Sequence, residues 1–336
     1  MQAIIIKANK SSSIKHKLCY NLYGDFMKYF TNEKHYNTLN NYYRSKFNTK
    51  IMKIALNGNF SCPNRDGIFS DKGCVFCSES GSGDFAGDRY DDLATQFDEI
   101  KGMMHQKWKD GKYIAYFQAN TNTYGPIKKL KRLFNEALTL DENVVGINIG
   151  TRADCFSLKI YDLLEEINKK TYLTIELGLQ SMHNDTLKLI NRGHDRNTFT
   201  EAVNGLRKRN INVVAHIING LPGEDEKMML DTIRYLNDLD IQGVKIHMLY
   251  VLKNTPLINY YNNNPFHILT LEEYVNITVN QLRLLRDDII IHRITGDPPR
   301  NLLVEPEWTL KKFVVSNEID KVMRKNNYYQ GDLYNE

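Results

Sequence analysis

The chain has 336 residues, 42% hydrophobic and 25% charged, so it is long enough to bury a sizeable core in one large domain or two small ones. The sequence has no apolar run of about 18 residues, which argues against a membrane-spanning helix. The odd count of five cysteines and the short apolar stretch near the first residue argue against an exported, disulfide-stabilised protein, and we expect a cytoplasmic one.

The amino-terminal part of the chain is basic. Residues 1–50 contain nine Lys or Arg and two Asp or Glu, a net charge of +7, whereas the rest of the chain carries −3. Residues 1–30 lack sustained periodicity, and we expect them to form a poorly ordered extension. The stretch HYNTLNNYYRSKF, residues 35–47, combines positive charge with aromatic rings, which suits RNA binding but equally a solvated tail. We expect three basic side chains to lie beside the first strand and the loop after it: Arg44, Lys46 and Lys50.

From about Ile51 onward, short apolar runs alternate with amphipathic stretches. The apolar runs are predicted strands, at residues 51–57, 112–118, 144–150, 172–178, 211–218 and 243–249. The amphipathic stretches are predicted helices, at residues 90–108, 127–138, 157–169, 198–209 and 225–239. This alternation predicts a parallel sheet covered by helices. The fold class is therefore α/β, and the strand count fits a partial (β/α)6 barrel of the TIM type.

The pattern loosens after Pro256. A helix at 271–286, a strand at 289–294 and a helix at 308–325 are expected to close the side of the barrel. The predicted organisation has three parts: a basic extension at 1–30, the barrel at 31–260, and a C-terminal α/β extension at 261–336 that packs on the barrel.

Three of the five cysteines fall in one loop after the first predicted strand, with the spacing Cys62-x11-Cys74-x2-Cys77. Three thiolates from one loop can ligate three irons of a [4Fe–4S] cube and leave the fourth iron open to another ligand. A structural zinc site needs four ligands, often two C-x2-C pairs, and the loop holds one such pair. A redox-active thiol pair is a third reading. The spacing favours the iron–sulfur cluster, and Cys19 and Cys155 are expected to be ordinary thiols.

Polar residues gather at the ends of the predicted strands. They include Gln118, Asn120, Thr151, Arg152, Gln180, Ser181, Asn219 and His247. Barrels of parallel strands place their chemistry at the carboxyl ends of those strands. We therefore expect these side chains to surround a site next to the cysteine loop.

Several motifs together resemble the radical S-adenosylmethionine (SAM) superfamily. The three-cysteine loop, with Phe76 before its last cysteine, resembles the cluster loop of that family, and the x11 gap resembles the widened loop of the branch related to the elongator catalytic subunit. The resemblance extends over most of the chain through CPNRDG…GCVFC, YFQANTNTYGP, GTRADC, ELGLQS, NRGHD, HIINGLPGE and HRITGDPPRNLL. It implies that Cys62, Cys74 and Cys77 hold a [4Fe–4S] cluster whose open iron binds SAM.

The same resemblance suggests which residues contact the cofactor. They are Phe76, Asn120, Thr121, Arg152, Glu176, Gln180, Ser181, Asn219 and Gly220. Asn120 and Thr121 stand where family members usually carry Gly-Gly-Glu, so this chain departs from the pattern at the methionine amine. Each assignment has a purely structural alternative: Glu176 could be a buried carboxylate bonded to Arg152, and Gly220 could serve a tight strand-to-helix turn.

The resemblance also suggests a substrate. Because the related elongator branch modifies wobble uridines, it implies an enzyme that cleaves SAM reductively, abstracts a hydrogen atom and modifies the wobble uridine side chain of a tRNA. An electron donor such as ferredoxin or flavodoxin is then required, and no membrane partner is expected. Two alternatives stay open: a radical SAM enzyme acting on a small metabolite or protein side chain, and a non-catalytic zinc-containing RNA-binding module.

Overall fold

The structure is a computed structural model that describes residues 30–81 and 83–334. The basic extension predicted for residues 1–30 lies outside this range, apart from its last residue. Within the described part of the chain, every helix is too short or too polar to span a membrane.

A parallel sheet forms the centre of the molecule. The strands in chain order are β1 Ile51–Leu56, β2 Lys112–Phe117, β3 Val144–Thr151, β4 Tyr172–Gln180, β5 Asn212–Asn219, β6 Gly243–Met248, β7 Val251–Leu252, β8 Ile290–Arg293 and β9 Leu303–Glu305. In the described residues, seven of them pair side by side in the order β1-β2-β3-β4-β5-β6-β8, and every pairing is parallel. The sheet curls into a half-barrel, which confirms the predicted α/β partial barrel. The predicted strand near residue 290 adds a seventh member at the open side, while β7 and β9 form a small antiparallel pair.

Helices cover the outside of the sheet. Their bounds are α1 Leu39–Phe47, α2 Leu93–His105, α3 Ile127–Ala137, α4 Leu158–Asn168, α5 Asn184–Leu189, α6 Arg196–Arg207, α7 Glu226–Asn237, α8 Pro256–Asn263, α9 Leu271–Leu284 and α10 Lys312–Lys325. Three of them begin after an aspartate whose side chain accepts a hydrogen bond from the backbone N–H three residues on, namely Asp92, Asp195 and Asp225. Such a cap satisfies an otherwise unpaired donor and contributes about 1 kcal/mol to helix stability.

The apolar core lies between the sheet and its helices. On α3, Leu130, Leu133 and Phe134 are buried at helical spacing, and the Phe134 ring lies edge-on to Phe117 of β2 with centroids 5.2 Å apart. Burying each such side chain stabilises the fold by about 1.5–3 kcal/mol. Because these contacts use the outer face of the sheet, the inner face of the half-barrel is left for the polar side chains described below.

Helix α1 lies at the amino-terminal edge of the sheet. Tyr43 of α1 packs edge-on against Tyr172, the first residue of β4, with centroids 6.2 Å apart. Lys46 Nζ lies 5.0 Å from the centroid of the same ring. Lys50 precedes β1, whereas the cysteines follow its carboxyl end. The expectation that Arg44, Lys46 and Lys50 lie beside the cysteine loop is therefore wrong, because parallel strands put these two ends on opposite edges.

Candidate active site

The cysteine loop, residues 59–81, leaves the carboxyl end of β1. Cys62, Cys74 and Cys77 line one cavity of about 230 Å³, together with residues from the carboxyl ends of the strands. No three His, Cys, Asp or Glu side chains of residues 30–81 and 83–334 stand close enough to share a single metal ion. A [4Fe–4S] cube is a different kind of site, because each cysteine binds a different iron atom.

Cys155 behaves as the ordinary thiol expected from the sequence. It is buried, and its Sγ lies 3.6 Å from Asp154 Oδ1. Burial raises the pKa of the Cys155 thiol, and the neighbouring Asp154 carboxylate raises it further. This thiol therefore stays protonated at neutral pH.

Arg65 holds the two halves of the cysteine loop together. Its guanidinium donates to the carbonyl oxygens of Cys77 at 3.0 Å and Glu79 at 2.9 Å, and also to that of Ser78. Gly73 has φ +75°, and a Cβ at this position would lie 3.0 Å from the Arg65 side chain. The close approach and the left-handed backbone together explain why glycine precedes Cys74.

The turn after α5 clamps the loop from the other side. Asn191 Nδ2 donates to the carbonyl of Gly73 at 2.7 Å, and Asn64 Nδ2 donates to the carbonyl of Asn191 at 2.5 Å. Val75 N donates to the carbonyl of Ile190 at 3.0 Å. The NRGHD motif and the residue before it therefore fix the cysteine loop against the barrel.

Two arginines and an amide surround Cys74. Asn64 Nδ2 lies 3.5 Å and Arg192 Nη1 3.6 Å from the Cys74 sulfur. Arg152 donates to both oxygens of Asp154 at 2.9 and 2.7 Å, but its buried Nη1 has no hydrogen-bond partner among the described residues. This side of the cavity is positively charged and therefore favours negatively charged groups, such as a thiolate-ligated cluster or a carboxylate.

Two residues of the cavity wall adopt an unusual backbone conformation. Asn120 has φ 59° and Gln180 has φ 74°, both in the left-handed region that residues other than glycine rarely occupy. Gln180 ends β4 at a register shift, and Asn120 N donates to the carbonyl of Gly81 in the cysteine loop at 2.8 Å. Strained conformations of this kind persist where surrounding contacts impose them, and they cluster at functional sites.

The deep part of the cavity is organised by Glu176, in the middle of β4. Its Oε1 accepts hydrogen bonds from Lys53 Nζ at 3.0 Å and Asn148 Nδ2 at 2.9 Å. Its Oε2 accepts from Tyr116 at 2.7 Å, is 3.0 Å from His216 Nε2, and pairs with Lys245. We call Glu176 and the five side chains that contact it the lumen cluster: Lys53, Tyr116, Asn148, His216 and Lys245.

Burial and charge shift the acid–base properties of the lumen cluster. Burial alone would raise the pKa of Glu176, but Lys245 and Lys53 hold that pKa well below its usual range. Burial lowers the pKa of Lys245 to about 7 and that of His216 to about 4. Glu176 is therefore ionised and His216 neutral at neutral pH, while Lys245 titrates in the physiological range.

Comparison with known proteins identifies the family. A model described as "Radical SAM superfamily" matches residues 67–236, and one described as "Radical_SAM C-terminal domain" matches residues 241–325. The chain belongs to the radical SAM superfamily. The protein YtqA of Bacillus subtilis (strain 168) is 50% identical over 306 residues, which are 91% of this chain and 95% of that protein.

Two further proteins are similar to this radical SAM protein, one in sequence and one in fold. The tRNA uridine(34) acetyltransferase of Methanocaldococcus infernus is 28% identical over 193 residues, 56% of this chain and 34% of that protein. The solved structure of the archaeal Methanocaldococcus infernus Elp3 with an N-terminal deletion superposes with a TM-score of 0.61 at 19% identity, covering 83% of this chain and 64% of that one. This structural likeness shows a shared fold.

The chain is thus a radical SAM enzyme whose cofactors are a [4Fe–4S] cluster and SAM. The cavity fits them, because three thiols face it from one loop and an unpaired arginine nitrogen lies in its wall. That Cys62, Cys74 and Cys77 are the cluster ligands stays a prediction, which the geometry of the cysteine loop supports.

The predicted SAM contacts divide into two groups. Six line the cavity: Phe76, Asn120, Thr121, Arg152, Glu176 and Gln180. Three are engaged elsewhere: Ser181 donates to Glu224, Asn219 exchanges hydrogen bonds with Gln281 of α9 at 2.7 and 2.8 Å, and Gly220 packs near Leu269 and Leu249. The structure therefore offers a packing role for this second group, and its contact with SAM stays a prediction. The suggested pair of Glu176 with Arg152 does not form, because Arg152 binds Asp154 instead.

Sequence reasoning missed most of the lumen cluster. Tyr116, His216 and Lys245 line the cavity, yet none was predicted as a site residue. A signal was present, because a lysine inside a strand that is otherwise buried needs a partner of opposite charge. The sequence does not show the strand register that brings these side chains around Glu176.

Proposed function

We propose that this radical SAM enzyme modifies tRNA at the side chain of the wobble uridine. The observation that carries the proposal is the similarity to a tRNA uridine(34) acetyltransferase over 193 residues. The fold shared with the archaeal Elp3 structure supports it. The match covers 34% of that acetyltransferase, so we limit the proposal to radical SAM chemistry.

Side chains of this chain line the cavity in which this chemistry would take place. Cys62, Cys74 and Cys77 would hold the cluster, which would supply the electron for the reductive cleavage of SAM. Arg192 and Asn64 stabilise the negative charge at Cys74, and Arg152 Nη1 offers a donor to an anionic group nearby. The lumen cluster fixes the inner wall of the cavity against which a substrate base is oriented.

Exposed aromatic residues beside the cavity suggest how RNA approaches. Phe85 lines the cavity and is 56% exposed, and Tyr90 is 85% exposed with the Arg89 guanidinium 5.6 Å from its ring centroid. Exposed rings next to a cation are suited to stacking on unpaired bases and contacting phosphate. We assign tRNA contact to this segment and not to α1, which lies at the opposite edge of the sheet.

The proposal is tested by mass spectrometry of tRNA nucleosides from cells with and without the gene. We expect one modified uridine to be lost from the anticodon wobble position in the deletion strain and restored by the wild-type gene. The matched control is complementation with the Cys74→Ser variant, which should not restore it. An unchanged nucleoside profile would contradict the proposal and favour a small metabolite or a protein side chain as substrate.

A further inference from the structure

The inner wall of the cavity carries more positive than negative charge. Lys53, Lys245 and Arg293 project from β1, β6 and β8, and Glu176 is the carboxylate that faces the two lysines. Glu176 pairs with both lysines but not with Arg293. Arg293 lies in the part of the wall where β6 and β8 pair, because Lys245 and Arg293 are direct partners in the register of these strands.

Arg293 is the cation without a protein partner. It is exposed within the cavity, and its side chain makes no hydrogen bond or ion pair with any residue in the described part of the chain. The two acids of the nearby wall are already bound: Asp297 pairs with Lys312 at 2.6 Å, and Asp84 accepts from Ser78 Oγ at 3.0 Å. The Arg293 guanidinium therefore presents its donors to whatever enters the cavity.

This position is separate from the arginines beside the cysteine loop. Arg152 and Arg192 are linked to each other, since Arg152 Nη2 donates to the Arg192 carbonyl at 2.8 Å, and Arg192 reaches Cys74. Arg293 instead adjoins Lys245, which also contacts Tyr116 at 3.3 Å. The cavity thus has two cationic walls, one beside the proposed cluster and one on the last two strands of the sheet.

We propose that Arg293, supported by Lys245, binds an anionic group of the substrate, a carboxylate or a phosphate. A guanidinium with free donors forms charge-assisted, bidentate hydrogen bonds with such groups. The assignment to tRNA as the carrier of this group rests on the proposed function above. The anion-binding position itself rests only on the strand register and on the unpaired guanidinium.

Binding of simple anions tests the position without reference to tRNA. Malonate and inorganic phosphate are titrated into the reconstituted, SAM-bound enzyme at constant ionic strength, and the shift in Tm is compared with that in chloride. We expect at least one of the two anions to raise the Tm of the wild type and not that of Arg293→Gln. The anion that gives the larger rise in Tm shows whether the bound group is a carboxylate or a phosphate. Equal shifts in wild type and variant, or none in either, would overturn the proposal.

Turnover tests the link to the substrate. With tRNA from cells lacking the gene, kcat/KM of Arg293→Gln should fall about 10- to 100-fold, the range for losing a hydrogen bond to a charged group. Arg293→Lys should recover part of the loss. Arg324→Gln makes the same charge change on the exposed outside of α10 and should leave kcat/KM unchanged. The Kd for SAM should stay unchanged in all three variants. Weakened SAM binding by Arg293→Gln would show that the anion is the SAM carboxylate and overturn the proposal, whereas a wild type inactive on tRNA would contradict the proposed function alone.

Discussion

Replacing Glu176 by glutamine should be among the most destabilising single changes in the chain. The side chain is fully buried and accepts hydrogen bonds from groups on five other strands, two of them lysine ammonium groups. Glutamine keeps the size but removes the charge, and it places an amide donor against other donors. Removing one partner of a buried ion pair costs about 3–5 kcal/mol, because the remaining charge is left unpaired. We expect Glu176→Gln to lose at least this range, a large share of a typical domain's stability.

The assay is anaerobic urea denaturation of the reconstituted protein, followed by circular dichroism. Glu166→Gln is the matched control, because Glu166 lies on the surface of α4 in salt bridges worth about 0–1 kcal/mol. Adding Lys245→Met to Glu176→Gln should recover part of the loss, since it removes one of the two unpaired ammonium groups. A cost for Glu176→Gln similar to that of Glu166→Gln would refute the reasoning.

The sign of the pH effect follows from the depressed pKa of Glu176. A carboxyl with a lower pKa in the folded state contributes stability that is fully present above its unfolded pKa. That contribution is lost as the pH falls through the folded value. Wild type should therefore lose stability in acid more steeply than Glu176→Gln does.

Three further predictions concern catalysis and binding. Lys245 faces Glu176, Lys53, Tyr116, His216 and Arg293, and its positive charge is lost as the pH rises through about 7. The kcat/KM for tRNA should therefore decline over that pH range in the wild type but not in Lys245→Arg. Equal declines in the two proteins would contradict this prediction. Arg192→Gln removes a cation 3.6 Å from the Cys74 sulfur and should lower the reduction potential of the cluster, measured by redox titration; an unchanged or higher potential would argue against the contact. Tyr90→Ala should weaken tRNA binding by about 1–3 kcal/mol in anisotropy titrations, whereas the exposed Tyr334→Ala should not, and equal effects would exclude stacking at Tyr90.

The strands and helices of the barrel could be predicted because their signals are local. Each strand is a short apolar run bounded by polar residues, and every predicted strand lies within two residues of its observed bounds. The cysteine loop also carries a local signal, because three ligand-type residues within 16 positions limit the possible chemistry. The half-barrel itself follows from the order of these elements.

The remaining features depend on contacts between distant segments. Helix α1 reads as a basic, aromatic arm, but its Tyr43 packs against Tyr172 at the amino-terminal edge, which no local pattern indicates. Asn219 ends its strand as a site residue would, yet it turns to Gln281, 62 positions away. The lumen cluster needs the register of six strands before its charges can be matched. These are the points at which sequence reasoning was incomplete or wrong.

We propose above that this chain uses its cluster and SAM to act on tRNA. The most direct test measures 5′-deoxyadenosine formed by the anaerobically reconstituted enzyme with dithionite and SAM, with the Cys74→Ser variant as the control. We expect tRNA from cells lacking the gene to stimulate 5′-deoxyadenosine formation well above the rate without tRNA. Wild-type tRNA, which is already modified, should stimulate it far less. Equal formation with both tRNAs and without tRNA would contradict the account.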